Sequence, residues 1–201
     1  LTIYDTWINK KTKKLMKKLS KKQWAVLFFI GFMSFWIAPS TGDSKTDFMA
    51  EQPKFDYNNR IEFMHDVKSC VDFINRMISP EDKIPMEIVL GMASLESGWG
   101  TSRFAIEGNN LFGIRTWDSD VPQLKPLGDP NAKFGVKMYH TKCDSVKDMM
   151  DILNNHYRYE DFRVQRQIQF EQGYSNWQDL LPLLSSWSTN NEYQKIVANT
   201  I

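Results

Sequence analysis

The chain is short of the residues that bind metals. It has only two cysteines and three histidines in 201 residues. His65, His140 and His156 share no ligand spacing with one another or with Cys70 and Cys143. The usual zinc patterns are therefore excluded, and no metal or cofactor is expected. Two cysteines permit one intramolecular bond, but sequence alone does not give their distance in space, so the pairing stays open.

Long apolar runs are also missing. The longest uncharged one, residues 24–38, counts 15 residues, short of the ~20 that span a bilayer core. A basic surplus is absent from most of the chain. The formal charge is +1, but residues 1–40 hold eight lysines and one acid. Residues 41–201 keep 17 basic and 23 acidic residues, a net of −6. That sign excludes sequence-independent nucleic-acid binding, which needs a basic surface.

What is present points to a globular body with an aromatic groove. Hydrophobic residues make up 42% and aromatics 13%, with seven Trp and thirteen Phe, a composition that excludes disorder. The N-terminal forty residues have export architecture: Lys17, Lys18, Lys21 and Lys22, then the apolar run, then the break Pro39-Ser40-Thr41-Gly42. Residues 1–40 are expected to be a signal peptide or signal anchor starting near Met16. Either form sends the body to the periplasm, free or held on the inner membrane and facing the periplasm. Residues 41–59 are polar and read as a linker.

From Arg60 the periodicity turns helical. Ile61, Met64, Val67, Val71, Ile74 and Ile78 form one stripe. Pro85 opens a second helix, with Ile88, Met92 and Leu95 on one face and Gly98 and Gly100 as its stop. A short helix over 101–107 ends at Gly108, with Arg103 and Glu107 set for an i,i+4 pair. Residues 111–141 change character. Rich in Pro, Gly, Asp and Asn, they predict a small hairpin-like β lobe. Phe112 and Phe134 are candidates for its core. Helices then resume, with Ser145/Asp148 and Ser175/Gln178 as expected capping boxes. Pro182 is expected to kink or end a helix, and a last helix covers about 191–200. The fold class is α+β, one domain over residues 60–201.

Within "SLESGWGTSRFA", Glu96 stands at the C-terminal end of an apolar helix, beside Met92 and Ala93. The helix dipole there disfavours negative charge, and partial burial does the same. A carboxyl kept protonated in an aromatic groove suits general-acid cleavage of glycosidic bonds. A second carboxylate would come from the lobe, with Asp118, Asp120 and Asp129 as candidates and Asp118 the first choice. The alternative is a route that needs no second carboxylate. Trp99 serves either as a core plug or as a sugar platform.

"ASLESGWGTSRFAIEGNNLFGIRTW" and "FGVKMYHTKCDSVKDMMDILNNHYRYEDFR" resemble the glucosaminidase domains of glycoside hydrolase family 73, and most of all their Bax-like branch in Gram-negative bacteria. The resemblance covers about residues 60–201. It implies a lysozyme-like fold and hydrolysis of β-1,4 links after N-acetylglucosamine in peptidoglycan glycan strands, with Glu96 as the general acid. It implies substrate-binding roles for Asn110 and Phe112 in "NLFG", for Tyr139, and for Trp187 and Tyr193 in "SWSTNNEY". There the chain departs from the family, which usually carries a tyrosine where Trp187 stands. The competing functions are a lytic transglycosylase or muramidase on the same fold, and a wall-binding protein without activity. The chain is expected to act as a monomer.

Overall fold

The structure, a computed structural model, describes residues 52–201. The expected leader and the linker up to residue 51 lie outside the described residues. Helix α1 (Arg60–Asn75) starts at Asn59, whose side chain accepts from the Glu62 amide. The Glu62 carboxylate in turn accepts from the Asn58 amide at 2.7 Å. Its buried face is Phe63, Val67, Cys70, Val71, Phe73 and Ile74. The expected stripe was therefore rotated: Ile61 is 81% exposed, because Phe63 and Cys70 take the inner positions. The helix also stops at Asn75, short of Ile78, and a 3-10 turn follows at Pro80–Asp82.

Helix α2 (Met86–Ser97) is the centre of the body, with Ile88, Val89, Gly91, Met92, Ala93, Ser94 and Ser97 all buried. Small residues let its neighbours come close. A Cβ on Gly91 would lie 2.8 Å from Ile201 Cγ1 and 3.0 Å from Val197 Cγ1. The helix ends in a Schellman motif. Gly98 is left-handed (φ 58°), its amide donates to Leu95 O, and the Trp99 amide donates to Ser94 O at 2.8 Å. Helix α3 (Arg103–Glu107) follows, capped by Ser102 and braced by Arg103–Glu107 at 2.9 Å.

The lobe is a three-stranded antiparallel sheet rather than a plain hairpin. Strands β1 (Arg115–Thr116), β2 (Gln123–Leu124) and β3 (Gly135–Lys137) lie in the order β1-β3-β2. Arg115 pairs with Val136, and Leu124 pairs with Val136 from the other side.

Helix α4 (Lys142–Asn155) carries its capping box on Thr141 and Asp144, not on Ser145 and Asp148. Asp148 is engaged elsewhere, with Lys137 and Tyr139. Helix α5 (Glu160–Glu171) and helix α6 (Trp177–Leu180) follow, the latter capped by Asn176 instead of Ser175. Pro182 sits at the start of a 3-10 stretch, Leu181–Trp187, and the chain ends in helix α7 (Tyr193–Ala198).

Cys70 and Cys143 form a disulfide between α1 and α4, with Cα atoms 5.7 Å apart. Residues 52–59, read in the sequence as the end of a linker, lie against the body. Gln52 Nε2 donates to Asp144 at 2.7 Å, and the Tyr57 hydroxyl donates to Gly100 O at 2.8 Å.

Candidate active site

Glu96 occupies the last turn of α2, half-buried, just before three successive left-handed residues: Gly98, Trp99 (φ 62°) and Gly100 (φ 78°). This turn is clamped. Ser97 Oγ donates to Ala93 O and accepts from the Gly100 amide at 2.7 Å. Tyr57 fills the space beside Gly100 so fully that a Cβ there would meet its hydroxyl at 2.3 Å. The turn that follows Glu96 is thus both hydrogen-bonded and closely packed.

Burial pushes the Glu96 carboxyl above its ordinary value of 4.5. Two donors work against that push, first the Tyr193 phenol and then the Trp187 indole. The Tyr193 contact is loose. The Tyr193 side chain is buried, and its hydroxyl completes no hydrogen bond of normal geometry. Catalytic hydrogen bonds are often long before substrate binds. Burial and the neighbouring Glu96 raise Tyr193 far above the usual phenol range, so it stays a donor.

The indole at 187 is fixed by rings. Phe112 meets it edge-on at 6.5 Å, and Tyr159 lies at 6.2 Å. Trp187 of the 3-10 stretch and Tyr193 of α7 thus act on the carboxyl carried by α2, while the "NLFG" turn and the turn before α5 reach it only through the Trp187 ring. Tyr159 was missed in the sequence. It lies in a polar run, "NNHYRYEDFR", and carries no periodic signal, yet it is buried and is felt electrostatically by Tyr193.

The remaining residues fall into different places. Asn110 is 1% exposed, and its amide is saturated. Nδ2 donates to Ile114 O and Lys137 O, and Oδ1 accepts from the Phe112 and Ile114 amides. These four bonds use the full capacity of an Asn side chain, and they fix the turn that carries Phe112. The Tyr139 hydroxyl donates to Asp148 at 2.6 Å, and burial with that carboxylate raises it far above the usual phenol range. Asp118 is exposed, and its carboxylate accepts from the Asp120 amide at 2.9 Å within its own turn. The influences on Glu96 are burial, Tyr193 and Trp187; Asp118 is not among them. Trp99 is half-buried, with the Arg60 guanidinium 4.9 Å from its ring centroid.

Comparison with known proteins gives the family and the fold. The chain is 34% identical to Protein bax of Escherichia coli (strain K12) over 92 residues, 46% of this chain and 32% of that protein. It is 26% identical to Peptidoglycan hydrolase FlgJ of Escherichia coli O157:H7 over 140 residues, 63% of this chain and 42% of that protein. The matches thus span less than half the length of either relative. The catalytic domain of the autolysin Auto from Listeria monocytogenes has the same fold. Its TM-score is 0.53 at 16% identity, covering 82% of this chain and 94% of that one. The architecture is accordingly the lysozyme-like α+β fold. Residues 75–201, well over half of the chain, match the family described as mannosyl-glycoprotein endo-beta-N-acetylglucosaminidase, and the chain belongs to that family of glycoside hydrolases.

Proposed function

We propose that this chain hydrolyses peptidoglycan, cutting β-1,4 bonds after N-acetylglucosamine, with Glu96 as the general acid. The observation that carries the proposal is a carboxyl raised by burial at a helix end, faced by the indole of Trp187 and the phenol of Tyr193. A raised carboxyl holds its proton close to the working pH and can give it to the leaving glycosidic oxygen as the C1–O bond breaks. The same two donors then favour the carboxylate that remains. The carboxylate then takes a proton from a water whose oxygen bonds to C1, which displaces the group that met C1 in the first step and restores the acid.

The group that meets C1 is the substrate's own 2-acetamido oxygen. This route is favoured because Asp118 holds its own turn and does not act on Glu96. The indole N–H also answers the departure at position 187. It supplies the hydrogen-bond donor that a phenol would supply there, though not the phenolic oxygen. A wall substrate requires export. The Lys-rich and apolar residues 17–38 and the disulfide both fit an oxidising compartment outside the cytoplasm.

Product analysis on purified peptidoglycan tests the proposal. Wild type should release fragments with reducing-end N-acetylglucosamine, and Glu96→Gln should lower the rate about 10²–10⁴-fold. Anhydromuramic ends would assign a lytic transglycosylase instead. Unchanged hydrolysis by Glu96→Gln would remove Glu96 from the chemistry. Binding to sacculi without any cleavage would leave a wall-binding protein.

A further inference from the structure

Trp99 is held in a conformation that L-residues rarely adopt, and everything around it keeps it there. Its φ is 62°, between two left-handed glycines. Such strain persists only where neighbours over-determine it, and it concentrates at binding and active sites. Here Ser97, Thr101 and Tyr57 each bond to the turn's backbone. The ring is therefore presented rigidly, three residues after Glu96, which bounds their Cα separation at about 11 Å.

Over this ring sits the guanidinium of Arg60, 4.9 Å from the centroid. Arg60 is exposed at the first position of α1. Among the described residues its side chain makes no ion pair and no hydrogen bond; the indole is its contact. That is unusual for a body with six more acids than bases over residues 41–201, where carboxylates are plentiful. An arginine laid on an aromatic face keeps its N–H edges free, and those edges match a carboxylate bidentately.

We infer that Arg60 and Trp99 form a subsite for a carboxylate on the acidic arm of the bound glycan, selecting strands that carry muramic acid over neutral N-acetylglucosamine polymers. The inference rests on the proposed function. It names the part of the substrate that the groove reads besides the scissile bond. The carboxylate has two possible sources, the lactyl acid of the sugar itself or the peptide stem attached to it. Both present the same chemistry to the guanidinium.

The test measures binding in a Glu96→Gln background with three ligands: N-acetylglucosamine oligomers, strands stripped of peptide, and strands with stems. Arg60→Ala should raise Kd for acidic strands about fivefold, the size of one solvent-accessible charged contact, and the loss should shrink in high salt. It should raise Kd for the neutral oligomer much less. The stem is joined through an amide on the lactyl carboxyl, so a loss on stripped strands alone identifies the lactyl carboxylate, a loss on stem-bearing strands alone identifies the stem, and a loss on both shows that either carboxylate is accepted. Arg60→Lys should recover part of the affinity through its charge.

Equal weakening of all three ligands, or no weakening, would overturn the inference. So would an equal loss from Arg115→Ala, whose guanidinium lies 4.6 Å over the Phe134 ring in the lobe. If wild type cuts none of the ligands while Arg60-dependent binding of acidic strands persists, the proposed function fails and the subsite stands. If wild type cuts and Arg60→Ala binds all three like its parent, the subsite alone fails.

Discussion

Helices α1 and α4 run for 16 and 14 residues and bury Phe63, Val67, Val71, Met149 and Leu153 completely or nearly so. The strands of the lobe count two, two and three residues, and around them Ile114, Val136 and Ala132 are buried at 5–8% exposure. Strands that short cannot hold a sheet by themselves. The lobe is instead tied by a few polar side chains reaching backbone. Asn110 makes four such bonds, Gln123 two, and Lys125 reaches Ala132 O and Phe134 O. One half of the molecule is stabilised by apolar burial, the other by a small number of knots. The Glu96 carboxyl belongs to the first half. The second half meets the site through Phe112, which touches Trp187.

The largest effect should come from cutting the covalent tie inside the helical body. The Cys70–Cys143 bond closes 73 residues of chain, including the whole lobe. Chain-entropy reasoning gives a loss of about 4 kcal/mol for the Cys70→Ser/Cys143→Ser variant. Denaturant unfolding of the 1–201 chain measures it. A loss under about 1 kcal/mol would mean that the unfolded chain is already compact without the bond.

The next effect should be confined to the lobe. Asn110→Ala leaves the buried Phe112 and Ile114 amides without a partner, a cost of about 3 kcal/mol. Hydrogen exchange should then quicken across residues 109–139 while α1, α2 and α4 keep their protection. Uniform quickening would show that lobe and body unfold as one unit and would erase the contrast drawn between them.

The same contrast explains what the sequence made legible. The helices came from 3.6-residue periodicity, which apolar burial writes directly into a chain. Errors arose where two candidates met the same rule. Ser145/Asp148 and Thr141/Asp144 share the capping spacing, and the second pair wins because Lys137 and Tyr139 recruit Asp148. The α1 stripe was misplaced because Phe63 and Cys70 were left out of it. The lobe was visible only as composition. Its third strand and the knot at Asn110 rest on contacts across 27 residues, which no local pattern contains. At the candidate site, the position of Glu96 at a helix end was legible. Its meeting with Trp187 and Tyr193 was available only through family resemblance, and Tyr159 not at all.

A smaller effect concerns stability against pH. Because the folded Glu96 carboxyl lies above 4.5, the native chain keeps a proton there after the unfolded chain has released it. The associated stability is fully present below about pH 4.5 and is lost as pH rises through the folded value. Glu96→Gln removes this dependence. Its Tm should match wild type near pH 4 and exceed it by about 2 °C or more at pH 8, as calorimetry would record. A variant less stable than wild type at both values would mean that the carboxylate is well accommodated and that burial does not dominate.

The smallest effect asks whether the donors around Glu96 control when it gives up its proton. Burial is the largest influence and raises the carboxyl; Tyr193 and then Trp187 lower it. Removing either donor while keeping a ring should therefore raise it further. A general acid works only while protonated, so the alkaline limb of kcat/KM should move to higher pH in Trp187→Phe and further still in Tyr193→Phe. Trp187→Tyr keeps a donor at the same place, and its limb should return toward wild type. The loss at the optimum should stay within about tenfold, the scale of one ordinary hydrogen bond. Phe112 and Tyr159 still hold the ring at position 187, so packing alone cannot produce a movement of the limb. A limb that stays fixed while the rate falls would assign Trp187 to sugar stacking rather than to the acid. The edge contact with Phe112 would then be the route by which the lobe, and not the helical body, governs the reaction.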